Sequence, residues 1–223
     1  MQIHKRMIGA FSFLVKNPLI FVVFIPLALL PIFTSLIPFD SSTTLMFVVY
    51  LILYLAVLLI ISSFIFSFTV FKVAYDENNK PISFKQAFSL SRKKFPFLMI
   101  SEALALLGIL AGSTLLNYLG ILWTSALGMV VSILLSLALI FLLVKILLFI
   151  PSCVIKGGLG FKESWETVKL QAFLDLAVLL IVYALLSNLI SMIPYAGIFI
   201  GPLILGPLVL VLLTMLYMDY LKK

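Results

Sequence analysis

The sequence predicts an all-α polytopic membrane protein: six transmembrane helices forming three hairpins, each preceded by a cytoplasmic interfacial amphipathic helix. Three observations carry this prediction. The 223 residues are 64% hydrophobic and 10% charged, against roughly 45–50% and about 25% in soluble domains. Four long stretches contain no charged residue. The segments between them repeat at a constant offset. This composition excludes a soluble globular domain, and also a disordered chain, which is poor in aliphatic and aromatic residues.

The charge-free stretches are 17–39, 41–71, 103–144 and 176–218. A bilayer core of about 30 Å needs about 20 apolar residues per helix, so the first two hold one helix each and the last two a hairpin each. Turn-forming residues divide the long ones, at Asn117-Tyr118-Leu119-Gly120 and at Pro194-Tyr195-Ala196-Gly197. The expected spans are 18–38, 45–72, 96–117, 121–150, 173–193 and 197–218. Continuous apolar runs, without ten-residue alternation, argue against a β-barrel. Lys5 and Arg6 ahead of an apolar stretch look like a signal peptide. That stretch begins only after Lys16 and meets no small-x-small cleavage site, so the first helix reads as retained.

With six spans, all 15 basic residues fall on one side, within 1–17, 72–95, 145–172 and the C-terminal tail. Asp40 is the only charge on the other side. The positive-inside rule then places both termini in the cytoplasm of a multi-pass protein of the cell membrane. Tyr118, Trp123 and Tyr195 mark the outer boundary, and Tyr75, Trp165, Tyr217 and Tyr220 the inner one. The net charge of +7 is therefore a matter of topology. No nucleic-acid-binding module is recognisable and no nucleic-acid partner is expected, whereas each basic residue near an anionic lipid surface is worth about 1 kcal/mol.

The chain repeats at an offset of 77, giving one transmembrane domain over 1–223 built of three units at about 5–77, 82–154 and 159–223. Met7, Phe84 and Phe161 correspond, as do Ala10, Ala87 and Ser164, and Phe11, Phe88 and Trp165; Leu14 pairs with Val168, with Ser91 as the exception. These positions are spaced i, i+3, i+4, i+7, one face of a helix. The opposite face carries Lys85, Gln86, Ser89, Arg92 and Lys93 in the second copy and Lys162, Glu163, Glu166 and Lys169 in the third. Ser83-Phe84-Lys85-Gln86 reads as a capping box, with Gly160 and Glu163 in the equivalent places of the third copy. Aromatics on one face and lysines on the other are the pattern of a helix lying in the membrane interface. Phe11, Phe88 and Trp165 are the expected interfacial anchors; Lys85, Arg92, Lys93, Lys94, Lys162 and Lys169 are the expected contacts to phospholipid headgroups. Three hairpins of one orientation are parallel repeats, unlike the inverted repeats of many transporters.

The pattern Ser/Gly-Phe-Lys-Gln/Glu-Ala/Ser-Phe/Trp, followed by a basic turn and a span and repeated among six spans, resembles a broad group of prokaryotic membrane proteins. That group includes the membrane domain fused to some glycerophosphodiester phosphodiesterases. The resemblance covers nearly the whole chain and implies architecture and membrane location. The soluble phosphodiesterase domain has no counterpart here, so the resemblance carries over no catalytic residue.

Chemical motifs are sparse. The sequence contains no phosphate-binding loop and no nucleophile elbow. One cysteine and one histidine exclude an internal disulfide, a cysteine cluster and a two-histidine metal site. Neither a cofactor nor an enzymatic activity is expected, since no residue set supplies nucleophile, base and electrostatic stabiliser together. Glu102 and Lys145 lie at similar depth in partner spans, and an ionisable group there costs a few kcal/mol unless paired. An intramembrane ion pair is the expectation, with separate snorkelling as the alternative. Asp175 reads as a charge at a helix N-terminus. Asn117, Asn188, Ser113, Thr114 and Ser187 read as interhelical hydrogen-bonding groups. Cys153 reads as an inert thiol at the inner boundary, where acylation is the alternative. Gly108-x-x-x-Gly112 and Gly197-x-x-x-Gly201 would permit close helix approach. Pro26 and Pro31 interrupt the first span, and Gly201-Pro202 and Gly206-Pro207 the sixth.

Two functions follow. The first is a non-enzymatic membrane module that organises anionic phospholipids or partner proteins through its basic cytoplasmic face. The second is a transporter or lipid-handling protein with a cavity near Glu102 and Lys145. A membrane interior nearly empty of polar groups favours the first.

Overall fold

The computed structural model describes residues 3–35, 44–120, 126–193 and 196–222, and every regular element among them is helical. The order is α1 (Ile3–Lys16), α2 (Leu19–Ser35), α3 (Thr44–Glu77), α4 (Phe84–Gly120), α5 (Ala126–Ile146), α6 (Phe149–Lys156), α7 (Phe161–Thr167), α8 (Leu170–Ser191), α9 (Ala196–Ile200), a π turn (Gly201–Leu205) and α10 (Gly206–Leu221). Five of the described stretches are long and apolar enough to cross a membrane: Val48–Glu77, Phe84–Leu115, Gly128–Lys156, Leu170–Ser191 and Gly201–Leu221. A sixth exists if α1 and α2, which meet at 94°, count as one. The chain is a multi-pass membrane protein. Asp40, Trp123, Pro194 and Tyr195, expected at the outer side, lie outside the described residues.

An amphipathic helix set off from its span occurs in only part of the chain. In the first copy Pro18 supplies no N–H and disfavours helical geometry at Asn17. The Asn17 side chain also donates to the Phe13 carbonyl at 3.0 Å, and the chain turns there from α1 into α2. In the second copy α4 runs unbroken from Phe84 through Pro96 to Gly120. One missing hydrogen bond bends a helix without ending it, and the residue equivalent to Asn17 is Lys94, which offers no competing cap. In the third copy α7 is only 7 residues long. The expected turn at 117–120 is likewise helix: Asn and Gly cost at most about 1 kcal/mol each inside one, too little to stop a long apolar helix.

The last span is the centre of the bundle. Of its apolar window 61% is buried, against 11–17% in the other four. Leu210 through Met218 of α10 are all buried, and Leu216 and Tyr217 completely so. They meet Ile3, Ala10 and Leu14 of α1 and Val70 and Val73 of α3 in one core. The outer spans present Leu107, Leu134 and Ile181, each about 60% exposed, on surfaces suited to lipid. Where lipid is as apolar as leucine, close packing holds such helices together more than exclusion from water does. The prolines of the last span do not break it. Pro207 cannot donate, and the chain widens locally so that the Gly206 N–H reaches the Gly201 carbonyl, five residues back, in a π turn.

Ring contacts recur along the chain. Phe64 packs edge-on to Phe88 at 4.8 Å, and Phe141 to Trp165 at 6.1 Å. The Lys72 ammonium lies 5.4 Å from the centre of the Phe84 ring, and Phe149 stacks on Phe161 at 5.1 Å. Both members of each second pair lie 77 positions after those of the first.

Candidate functional site

The helix starts that the sequence singled out are built in detail. At α4 the capping box forms: the Ser83 N–H donates to Gln86 Oε1 at 2.9 Å, and the Gln86 N–H to Ser83 Oγ at 3.3 Å. At α7 the cap is Gly160 in the left-handed region, φ 75°. A Cβ there would stand 2.3 Å from the Phe149 carbonyl oxygen and 2.7 Å from the Cys153 nitrogen, so α6 and the start of α7 require glycine. Ser152 Oγ donates to the Gly160 carbonyl at 2.9 Å and Ser164 Oγ to the Lys145 carbonyl at 2.8 Å. These bonds tie α7 down between α5 and α6.

The stripe at 7, 10, 11, 14 and its equivalents divides in the same way each time. Ala10, Ala87 and Ser164 are fully buried, as are Leu14, Ser91 and Val168. Phe11, Phe88 and Trp165 are 64%, 55% and 45% exposed. The small members seat each helix in the protein while the aromatic projects outward. Lys85, Arg92, Lys93, Lys162 and Lys169 are exposed, and Lys94 is half-buried over Gly157. Lys85 and Arg92, expected on the face opposite the aromatic stripe, stand at i−3 and i+4 from Phe88 and so lie on its side of the helix.

An ion cluster that sequence reasoning missed gathers three helix ends. Arg6 of α1 donates from Nη1 to both Glu77 oxygens at 2.9 and 3.0 Å and from Nε to Asp219 Oδ2 at 2.6 Å; a second bond joins its Nη2 to Asp219 Oδ1. The bond to Asp219 is the main cause that raises the guanidinium above its ordinary range. The residues stand 71 and 213 positions from Arg6, beyond any local pattern.

Glu102 and Lys145 are not brought together. Glu102 Oε2 accepts from Ser62 Oγ of α3 at 2.6 Å. The Lys145 ammonium donates to the Val168 carbonyl at 2.6 Å and lies 5.2 Å from the Trp165 ring centre. Shared depth does not fix the direction around a helix: Glu102 faces α3, whereas Lys145 faces the junction of α7 and α8. Lys72 makes the matching bond to the Ile82 carbonyl, 2.7 Å, ahead of α4. Both lysines close the chain entering the next helix.

The interior is more polar than expected. Ser62, Ser63, Ser67, Ser101 and Ser152 are buried. Buried Glu102 Oε1, Ser63 Oγ and Tyr217 Oη have no hydrogen-bond partner among the described residues. A Glu102→Gln protein keeps an acceptor for Ser62 and gains an amide donor for Ser63. Its thermal unfolding in detergent should match wild type within about 0.5 kcal/mol, whereas Ser62→Ala should cost about 1 kcal/mol.

Other expectations are also corrected. Asp175 lies in the second turn of α8, where it accepts from Tyr220 Oη at 3.2 Å, and is not a first-turn charge. Ser113 and Thr114 donate to Leu110 of their own helix, and Asn117 and Asn188 are exposed. Cys153 is 1% exposed, with Sγ 3.1 Å from the Gly158 carbonyl oxygen and 3.7 Å from Ser101 Oγ, out of reach of acylation. Of the four spaced glycines, Gly112 and Gly197 meet neighbours while Gly108 and Gly201 border open space.

Three concavities open on the described surface. An apolar groove of about 380 Å³ runs between α1 (Ile8, Phe11), α8 (Leu179, Tyr183) and α10 (Leu208, Leu212). A second apolar groove of about 420 Å³ lies between α2 and α3, lined by Pro26, Leu30 and Tyr54. A polar cleft of about 310 Å³ lies where α6, α7, α8 and α10 end or begin. Neither Glu102 nor Lys145 lines any of them. Compared with known proteins, the chain matches no family model, no curated protein and no solved structure.

Proposed function

We propose that this chain is a non-enzymatic membrane module that gathers anionic phospholipids at its basic end, with that end and both termini in the cytoplasm. The observation that carries the reading is the division of the helix-start stripe: Phe11, Phe88 and Trp165 project outward, and exposed basic residues surround the second and third of them. An aromatic ring at headgroup depth beside a lysine or arginine is the geometry that holds a phosphate while the ring sits among the upper chain segments. Three such starts share one phase of burial, and ring contacts recur at the same spacing, which supports three repeated units.

The test is lipid retention. Protein extracted gently from its own membrane and analysed by mass spectrometry should carry anionic phospholipid enriched over the bulk membrane. Lys85→Gln, Arg92→Gln and Lys93→Gln together should reduce that enrichment, by about fivefold per basic residue replaced. Equal lipid composition in protein-bound and bulk fractions would refute the proposal.

A further inference from the structure

The polar cleft differs from the rest of the basic end. Lys156 and Lys169 line it together with Glu163 and Glu166, so two cations and two carboxylates share one cleft of about 310 Å³. Among the described residues none of these four makes an ion pair or a side-chain hydrogen bond. Opposite charges that share a cleft without pairing are free to meet a guest that carries both. Thr167 adds a hydroxyl, and Tyr220, the one aromatic residue lining the cleft, already donates its hydroxyl to Asp175.

From this charge arrangement we infer that the cleft binds the phosphoethanolamine headgroup of a membrane phospholipid, the phosphate on Lys156 and Lys169 and the primary ammonium on Glu163 and Glu166. A phosphate accepts charge-assisted hydrogen bonds from lysine, and a primary ammonium offers three N–H donors to carboxylates. A choline headgroup has no N–H to donate and is recognised by aromatic faces, which a single tyrosine does not supply. A glycerol headgroup leaves both carboxylates without a cation, and a serine headgroup adds a third carboxylate.

The surroundings point to a lipid and not to a free metabolite. Ala172 of the cleft and Leu179, Tyr183 and Leu186 of the apolar groove are spaced i, i+7, i+11, i+14, one stripe of α8. The groove therefore starts about 10 Å deeper on the face where the cleft ends. A headgroup held in the cleft would direct a chain along α8 towards it. This inference goes beyond the anionic-phospholipid reading above, because a phosphoethanolamine headgroup carries no net charge.

The test is titration of the full-length protein in detergent with dioctanoyl phosphatidylethanolamine, followed by calorimetry. The same titration is run with the phosphatidylcholine, phosphatidylglycerol and phosphatidylserine analogues and with free phosphoethanolamine. The ethanolamine lipid should bind best. Glu163→Gln with Glu166→Gln should weaken it by about tenfold and leave phosphatidylglycerol unchanged, and Lys156→Gln with Lys169→Gln should weaken it similarly. Protection of Cys153 from maleimide in each variant shows that the fold is kept. Equal affinity for the choline lipid, or no response to the glutamate changes, would overturn the headgroup assignment. Free phosphoethanolamine binding as tightly as the lipid would overturn the membrane source. Either failure leaves the anionic enrichment at Lys85, Arg92 and Lys93 standing, because those residues are outside the cleft; loss of that enrichment in lipid retention would count against the broader reading.

Discussion

Gly160→Ala should destabilise the folded protein by about 4 kcal/mol. A left-handed backbone at φ 75° costs an L-residue about 1–2 kcal/mol. The larger part is steric: the new methyl would stand 2.3 Å from the Phe149 carbonyl oxygen and 2.7 Å from the Cys153 nitrogen. Both are backbone atoms of α6, so no side-chain rotation relieves the clash, and overpacking of that kind costs about 1–3 kcal/mol. Displacing α6 also strains the bond from Ser152 to the Gly160 carbonyl. Cys153, the single cysteine of the chain and 1% exposed, is a built-in reporter. Maleimide labelling against temperature should show the alanine variant reacting well below the wild-type transition. Unchanged protection would mean that α6 and α7 do not approach as described.

Arg6→Met should be the second most damaging change, at about 2 kcal/mol. The guanidinium is the only cation bonded to Glu77 and Asp219 among the described residues, and the three side chains are 15–23% exposed. Removing one partner of a buried pair costs about 3–5 kcal/mol, because the other charge stays behind unpaired; partial exposure lowers that figure. Glu77→Gln and Asp219→Asn added to Arg6→Met should therefore restore much of the lost stability. Hydrogen exchange should locate the defect in α1, which loses its tie to the ends of α3 and α10 while its lining of the apolar groove loosens. If Arg6→Met unfolds like wild type, the cluster adds nothing to stability.

The membrane class and most of the spans were legible because they depend on quantities additive along the chain. An apolar run of given length has few other fates. Features that depend on the direction a helix face takes were not legible. Glu102 and Lys145 are placed at one depth by the sequence, yet Ser62 on α3 claims one and the Val168 carbonyl the other. The central place of α10 is invisible in a sequence whose outer spans are equally apolar, since lipid and protein core select the same side chains. Arg6 with its carboxylates, and Asp175 with Tyr220, join positions far apart in the chain, which no spacing rule reaches. Gly206-Pro207 reads as a break, and the helix absorbs it by widening to a π turn. At the candidate site the aromatic and basic positions were readable from the 77-residue offset. Of the cleft, Glu163, Glu166 and Lys169 were readable as one charged helix face; that Lys156 of α6 and Tyr220 and Leu221 of α10 close on them was not.

Lipid contact at the start of α4 is the most direct check on the central claim. A Phe88→Trp protein in which Trp123 and Trp165 are phenylalanine carries one tryptophan, flanked by Lys85 and Arg92, and reports the lipids beside it through quenching by brominated chains. In low-salt bilayers brominated phosphatidylglycerol should quench more strongly than brominated phosphatidylcholine. The difference should shrink at high salt, as screening shortens the reach of the lysines, and with Lys85→Gln and Arg92→Gln. Equal quenching by the two lipids at low salt would contradict that claim.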